Sequence, residues 1–190
     1  MNDLPSYSEA LKILRKSGCS EKIVKHSILV SDTAKEIASY INHGIHIDLQ
    51  LVEVGALLHD IGRSTTHGIQ HGSVGAGILE NLNYPSRLVN VVRNHVGAGI
   101  PKEEAETLGL PSKDHLPETI EEKVVCYADK LVSGNKRVSF EQALESLLQS
   151  LGSGHPGIER FRNLHKQIVE LTGGANGRTS LITKDPQRKK

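Results

Sequence analysis

The chain has 190 residues and 23 Lys and Arg against 22 Asp and Glu, so it can bury a real core and carries no net field drawing it to nucleic acid or a membrane. Aromatic residues make up 3% and Trp is absent, which argues against a base-stacking platform. Cys19 and Cys126 have no CxxC partner, and neither a leader nor an apolar run near the roughly 20 residues of a membrane span is visible, so a cytoplasmic protein with free thiols and no membrane association is expected.

Helical periodicity starts early. SYSEALKILRKSG (6–18) places Ser6 and Glu9 as a capping box and stops at Gly18. A second helix is predicted from about Ser20 to His43, with Ile23, Val30, Ala34, Ile37 and Ile41 on its core stripe. His26 lies in line with that stripe, away from Lys22, Lys25 and Glu36. LQLVEVGALL (49–58) follows Asp48, a suitable N-cap, and is apolar nearly all round, so it is expected to be the central buried helix. It runs straight into His59 and Asp60 before Gly62. Helices at about 71–82 and 86–96 come next; His71 leads Val74, Ile78 and Leu82, and His95 closes the series Leu88, Val91 and Val92. Segment 96–117 is broken by Gly and Pro, with room for one short helix, and reads either as a wall or lid over a site or as a surface connection. Helices at 118–134, 139–151 and 156–173 complete an all-α fold, with Asp129 four residues after Val125 and three before Val132. No segment alternates as a strand does. Residues 1–172 read as a single unit, and 173–190, polar and ending in RKK, as a solvated tail rather than a nucleic-acid arm.

His26, His59, Asp60, His71, His95 and Asp129 are therefore expected to point inward from five helices. Any one of them alone fits a hydrogen-bonded core residue. Four imidazoles and two carboxylates meeting in one small bundle are another matter, because each would lack a compensating partner without a cation. Neutral imidazole and carboxylate suit divalent Fe, Mn, Zn, Co or Ni.

The order His26, His59-Asp60, Asp129 resembles the H…HD…D signature of the HD-domain metal-dependent phosphohydrolases, and HDIG at 59–62 is the common literal form of its centre. The likeness covers about 20–135, with 139–172 as C-terminal helices. HGSVGAGIL (71–79) and NHVGAGI (94–100) resemble the extra histidine motifs of binuclear members. The whole chain is similar to a small stand-alone, mainly archaeal HDIG family, and it lacks the GYP motif of cyclic-dinucleotide phosphodiesterases.

That resemblance implies an HD-domain helical bundle with a metal site at its centre. It implies that His26, His59, Asp60 and Asp129 hold a first ion, and that Asp60 bridges to a second held by His71 and His95. Arg63, where many relatives carry Lys, and Lys130 are expected to clamp phosphate. His67, four before His71 in THGIQHG, is expected beside the substrate, sharing the His71 face if that helix starts early. His43, His46, His115, His155 and His165 fit helix ends or polar faces and receive no role. The implied activity is hydrolysis of a small phosphate ester or anhydride, a nucleotide foremost, by a metal-activated water. The rival is a non-catalytic ligand-sensing or interaction module of the same fold; nucleic acid is disfavoured as a partner, and a homo-oligomer is left open.

Overall fold

A computed structural model of the chain describes residues 3–41 and 44–173; His43 and the tail expected beyond 173 fall outside them. Helices α1 (Tyr7–Lys16), α2 (Glu21–Ser39) and α3 (Leu49–Leu58) lead into a 3-10 turn, Ile61–Ser64. There follow α4 (His71–Asn81), α5 (Ser86–Asn94), α6 (Lys102–Thr107), α7 (Ile120–Lys130), a hairpin of β1 (Val132–Ser133) and β2 (Lys136–Arg137), α8 (Phe140–Leu151) and α9 (Pro156–Leu171). Among the described residues the fold is all-α apart from that two-stranded hairpin and two isolated bridges. Among the described residues no helix is long and apolar enough to cross a membrane.

Helix starts follow the side-chain chemistry. The capping box of α1 forms between Ser6 and Glu9, and Asp48 Oδ1 accepts from the Leu51 amide at 3.0 Å. The Asp48 amide donates to Glu121 Oε1 at 2.9 Å, so the start of α3 is tied to α7. Helix α3 buries Leu51, Val52, Val54, Ala56, Leu57 and Leu58 and packs against α1, α2, α5 and α7. Each such Val or Leu stabilises the fold by roughly 1.5–3 kcal/mol. The same burial makes an unpartnered imidazole at the end of α3 costly.

One core stripe keeps its predicted position and one is rotated from it. Along α2 and just beyond it Val30, Ala34, Ile37 and Ile41 are buried as expected, joined by Val24, Ser27 and Ser31, while Ile23 is only half-buried and His26 sits at the edge of that face. In α4 the buried set is His71, Gly72, Gly75, Ala76 and Leu79, whereas Val74 and Ile78 are half-buried and Leu82 is exposed. Glycines, lacking hydrophobic side chains, carry this face because it is the one that approaches other backbone closely. The hairpin was not foreseen: two-residue strands are too short to alternate. Its turn, Gly134-Asn135, places Gly134 at φ 60°, a conformation that favours glycine.

Segment 96–117 holds one short helix, α6. Its ends are pinned by paired backbone bonds between Ile100 and His115, at 3.0 and 2.8 Å. Ile100, Ala105 and Leu110 form a small cluster of their own with Ile69 and Val96, and Arg160 bonds Glu104 at 2.7 Å to fasten α6 to α9. His115 is buried rather than on a polar face, with Nε2 3.1 Å from the Pro111 carbonyl.

Candidate metal centre

Helix α3 ends with His59 as its C-cap, and Asp60 occupies the step into the 3-10 turn. The turn can then meet the start of α4 only because residue 62 is glycine. A Cβ there would stand 2.0 Å from the His71 carbonyl oxygen and 2.6 Å from the Gly75 nitrogen, backbone atoms that cannot step aside. Gly75 and Gly72 let α5 come close in turn: added Cβ atoms would lie 2.9 Å from Val92 Cγ1 and 3.0 Å from the Arg93 carbonyl oxygen. This close nesting carries His71 and His95 to Asp60, with their Nε2 atoms 3.2 and 3.6 Å from Asp60 Oδ1.

The other carboxylate is approached from the opposite side. His26 Nε2 and His59 Nε2 lie 3.1 and 3.4 Å from Asp129 Oδ1. They lie 4.0 and 3.7 Å from Asp60 Oδ2. All six side chains named from the sequence therefore meet, and Asp60 stands between two groups of imidazoles with one oxygen toward each. Donor atoms of His26, His59 and Asp129 fall within 4.8 Å of one another, as do those of His59, Asp60 and His95, so either trio could hold a metal ion.

The imidazole tautomers follow from the backbone. Nδ1 of His59, His71 and His95 lies 2.6, 2.8 and 2.7 Å from the carbonyls of Ala56, Gly68 and Val92, each three residues earlier. Nδ1 of His26 lies 3.3 Å from the Gly134 carbonyl at the hairpin turn. A carbonyl only accepts, so each Nδ1 carries the proton and each Nε2 presents a lone pair. The result is an arrangement that repels itself: His71 Nε2 and His95 Nε2 stand 3.0 Å apart, and His59 Nε2 is buried without any hydrogen-bond partner. Converging lone pairs and carboxylate oxygens are what a divalent cation requires, so the residues present fit a metal.

Without a cation, protons on the imidazoles take its place beside the carboxylates. Burial alone pushes the Asp60 carboxyl up, but His59, His71 and His95 outweigh it and hold the group below the ordinary carboxylate range. Burial likewise opposes ionisation of Asp129, and Lys130, His26 and His59 overcome it. Burial pushes His95 down to about 4, against the pull of Asp60, which keeps its imidazole neutral. Desolvation raises the Cys19 thiol to about 11 and the Cys126 thiol to about 12, so neither buried thiol is a nucleophile or a ready metal ligand near neutral pH.

Arg63 and Lys130 both engage the centre, in different ways. Arg63 Nε bonds Asp60 Oδ2 at 2.6 Å, and Arg63 also lines a cavity of about 390 Å³ with Ser20, Lys22, Ile23, His26, Asp60, His67, Asp129 and Gly134. Lys130 Nζ donates to Asp129 Oδ2, but Lys130 lines a separate cavity formed with the hairpin and α8. His67 reaches the first cavity from the exposed loop before α4; that helix begins at His71, so no early turn places the two histidines on a shared face. Segment 96–117 supplies no lining residue to this cavity and so does not wall it. The sequence sets Lys22 on a charged face away from His26, yet both line this cavity, as their four-residue spacing on α2 allows; the Gly134 carbonyl leaves no mark in the sequence.

Known proteins share this architecture. Residues 23–134 match the HD domain family. An uncharacterized protein of Methanocaldococcus jannaschii is 49% identical over 166 residues, covering 87% of this chain and 98% of its own. A tRNA (cytidine(56)-2'-O)-methyltransferase of Picrophilus torridus is 38% identical over 170 residues, 90% of this chain, which spans only 48% of that longer protein. Among solved structures, the HD domain of the L. monocytogenes phosphodiesterase PgpH in complex with cyclic-di-AMP is similar in fold, with a TM-score of 0.51 at 18% identity over 90% of this chain and 98% of that one. With more than half of its length matched and its imidazoles and carboxylates gathered at one centre, the chain belongs to the HD domain family.

Proposed function

We propose that the centre holds two divalent transition-metal ions and hydrolyses a phosphate ester or anhydride on a small, nucleotide-like substrate. The observation that carries this reading is the set of Nε2 lone pairs facing the two oxygens of Asp60. In it, His26, His59 and Asp129 would hold one ion and His71 and His95 the other, with Asp60 serving both. When bound, such ions make water available as hydroxide near neutral pH and polarise phosphoryl oxygens.

The chain's own residues supply the rest. Backbone carbonyls fix the four imidazoles through Nδ1, so the ligands do not reorganise as charge develops. Arg63 keeps Nε on Asp60 and Nη1 on the His67 carbonyl, which leaves Nη2 for a phosphoryl oxygen to accept from. His67 contacts the substrate from the cavity rim. Lys130 acts through Asp129, which it holds ionised. The reaction joins the oxygen of water to phosphorus and breaks the P–O bond to the leaving group. The nucleotide ligand of the PgpH domain is in keeping with this substrate class.

The test is metal analysis of the purified protein, then phosphate release from nucleotides and simple phosphate esters with Mn²⁺ or Fe²⁺ supplied. Bound metal and turnover are expected. Asp60→Ala should lower both, turnover by more than about a hundredfold, since even residues behind the ligands contribute 10–100-fold. Undiminished turnover in that variant refutes the assignment. Bound metal without turnover on any phosphate compound is the result expected of a ligand-sensing module.

A further inference from the structure

The cavity at the centre has a cation that the reaction described above does not use. Lys22 lines it, is exposed, and makes no ion pair or hydrogen bond among the described residues. The other charged groups around the cavity are committed: Arg63 to Asp60, and Asp60 and Asp129 to the imidazoles. Lys130, the remaining cation near the centre, faces another cavity. An ammonium left unpaired at the mouth of a site built for phosphate is a place for a second anion.

Its position sets where that anion lies. Lys22 and His26 are four residues apart on α2, so they share a face about 6 Å apart along the axis. Helical side chains lean toward the N-terminus, which carries the Lys22 head outward from the centre. Ser20, the N-cap of α2, makes no side-chain cap bond and lines the same cavity, so its hydroxyl is available at the same spot. Arg63 addresses an oxygen beside Asp60; Lys22 addresses a group one helical turn further out.

The geometry points to Lys22 as a specificity-determining residue that selects substrates carrying a second phosphate beyond the reacting one, that is, a diphosphate rather than a simple monoester. This deepens the phosphohydrolase reading and rests on it for the identity of the first phosphate site.

The test is equilibrium binding, which does not need turnover. Protein loaded with Mn²⁺, kept in excess over ligand, is titrated with inorganic phosphate and with methylenebisphosphonate, a diphosphate that cannot be hydrolysed at its bridge. The intact protein should prefer the bisphosphonate by about tenfold, the worth of one charge-assisted contact. Lys22→Ala should lose that preference while its phosphate affinity changes less than about twofold, and Lys22→Arg should keep it. Equal manganese content in all three proteins shows that the centre is intact. An equal loss for both ligands, or no loss, overturns the inference. A Lys22-dependent preference in a protein that hydrolyses nothing overturns the hydrolase reading instead.

Discussion

Gly62 decides whether two halves of the centre can meet. Its neighbour across the gap is not a side chain but the His71 carbonyl, 2.0 Å from where a Cβ would stand. Gly62→Ala should therefore cost about 1–3 kcal/mol, the range for forced overpacking, and should lower metal content by moving His71 off Asp60. Gly77 is the internal control: it lies in α4, the helix that Gly62 meets, and a Cβ there meets nothing within 4 Å. Gly77→Ala should raise stability by about 0.5–1 kcal/mol, since alanine is the better helix former. Urea unfolding of the two variants, with metal analysis, checks both; equal effects would remove the close-approach argument. The sequence makes His26, His59, Asp60, His71, His95 and Asp129 legible because each falls on or at the end of an apolar helix face. It does not make the close approach of Gly62 legible, because contact between backbones nine residues apart leaves no mark on periodicity. The unpaired state of Lys22 and the placing of Lys130 beside a second cavity are hidden for a similar reason: both depend on which cavity a side chain enters.

Among the elements, the hairpin and α9 show how secondary structure serves the centre from outside it. The Gly134 carbonyl, offered by a two-residue turn, is what the His26 Nδ1 donates to, so four residues of strand orient a ligand on α2. Helix α9 is tied to α7 through Tyr127 and His165: the Tyr127 hydroxyl lies 2.6 Å from His165 Nδ1, and the His165 ring stacks on Phe140 at 3.7 Å. Burial lowers the pKa of His165 from 6.5, with Glu141 pulling weakly the other way. The unfolded chain therefore binds this proton first, so the contribution of His165 is full above about pH 6.5 and falls as pH drops below it. Unfolding midpoints of the intact protein and of His165→Phe, compared between about pH 5 and 8, should converge toward the acid end. A gap independent of pH would show that His165 is not held neutral. Helix number and order are readable from periodicity, yet α4 buries a face displaced from the expected stripe. In α4 the reason is that Gly72 and Gly75, invisible to a hydrophobicity pattern, form the buried surface.

The molecule as a whole hangs on α3, which touches α1, α2, α5 and α7 and ends at the centre. Filling the centre should therefore stabilise the entire bundle. At a metal concentration about a hundred times Kd, binding contributes roughly 2.7 kcal/mol, so chelation should lower Tm by about 5–10 °C for a chain of this size. Calorimetry with and without chelator measures it, and an unchanged Tm would mean that no metal is held. Three helices also finish at this spot: α3 is capped by His59, α5 by His95, and Asp129 lies in the last turn of α7. Each brings the negative pole of its peptide dipoles to one point. An incoming phosphate thus faces three carbonyl ends and two carboxylates that carry one salt bridge each, from Arg63 and Lys130, until metal adds further positive charge, which imposes a sequence on loading: metal before phosphate, never the reverse. Protein stripped of metal, titrated with phosphate, should give no heat.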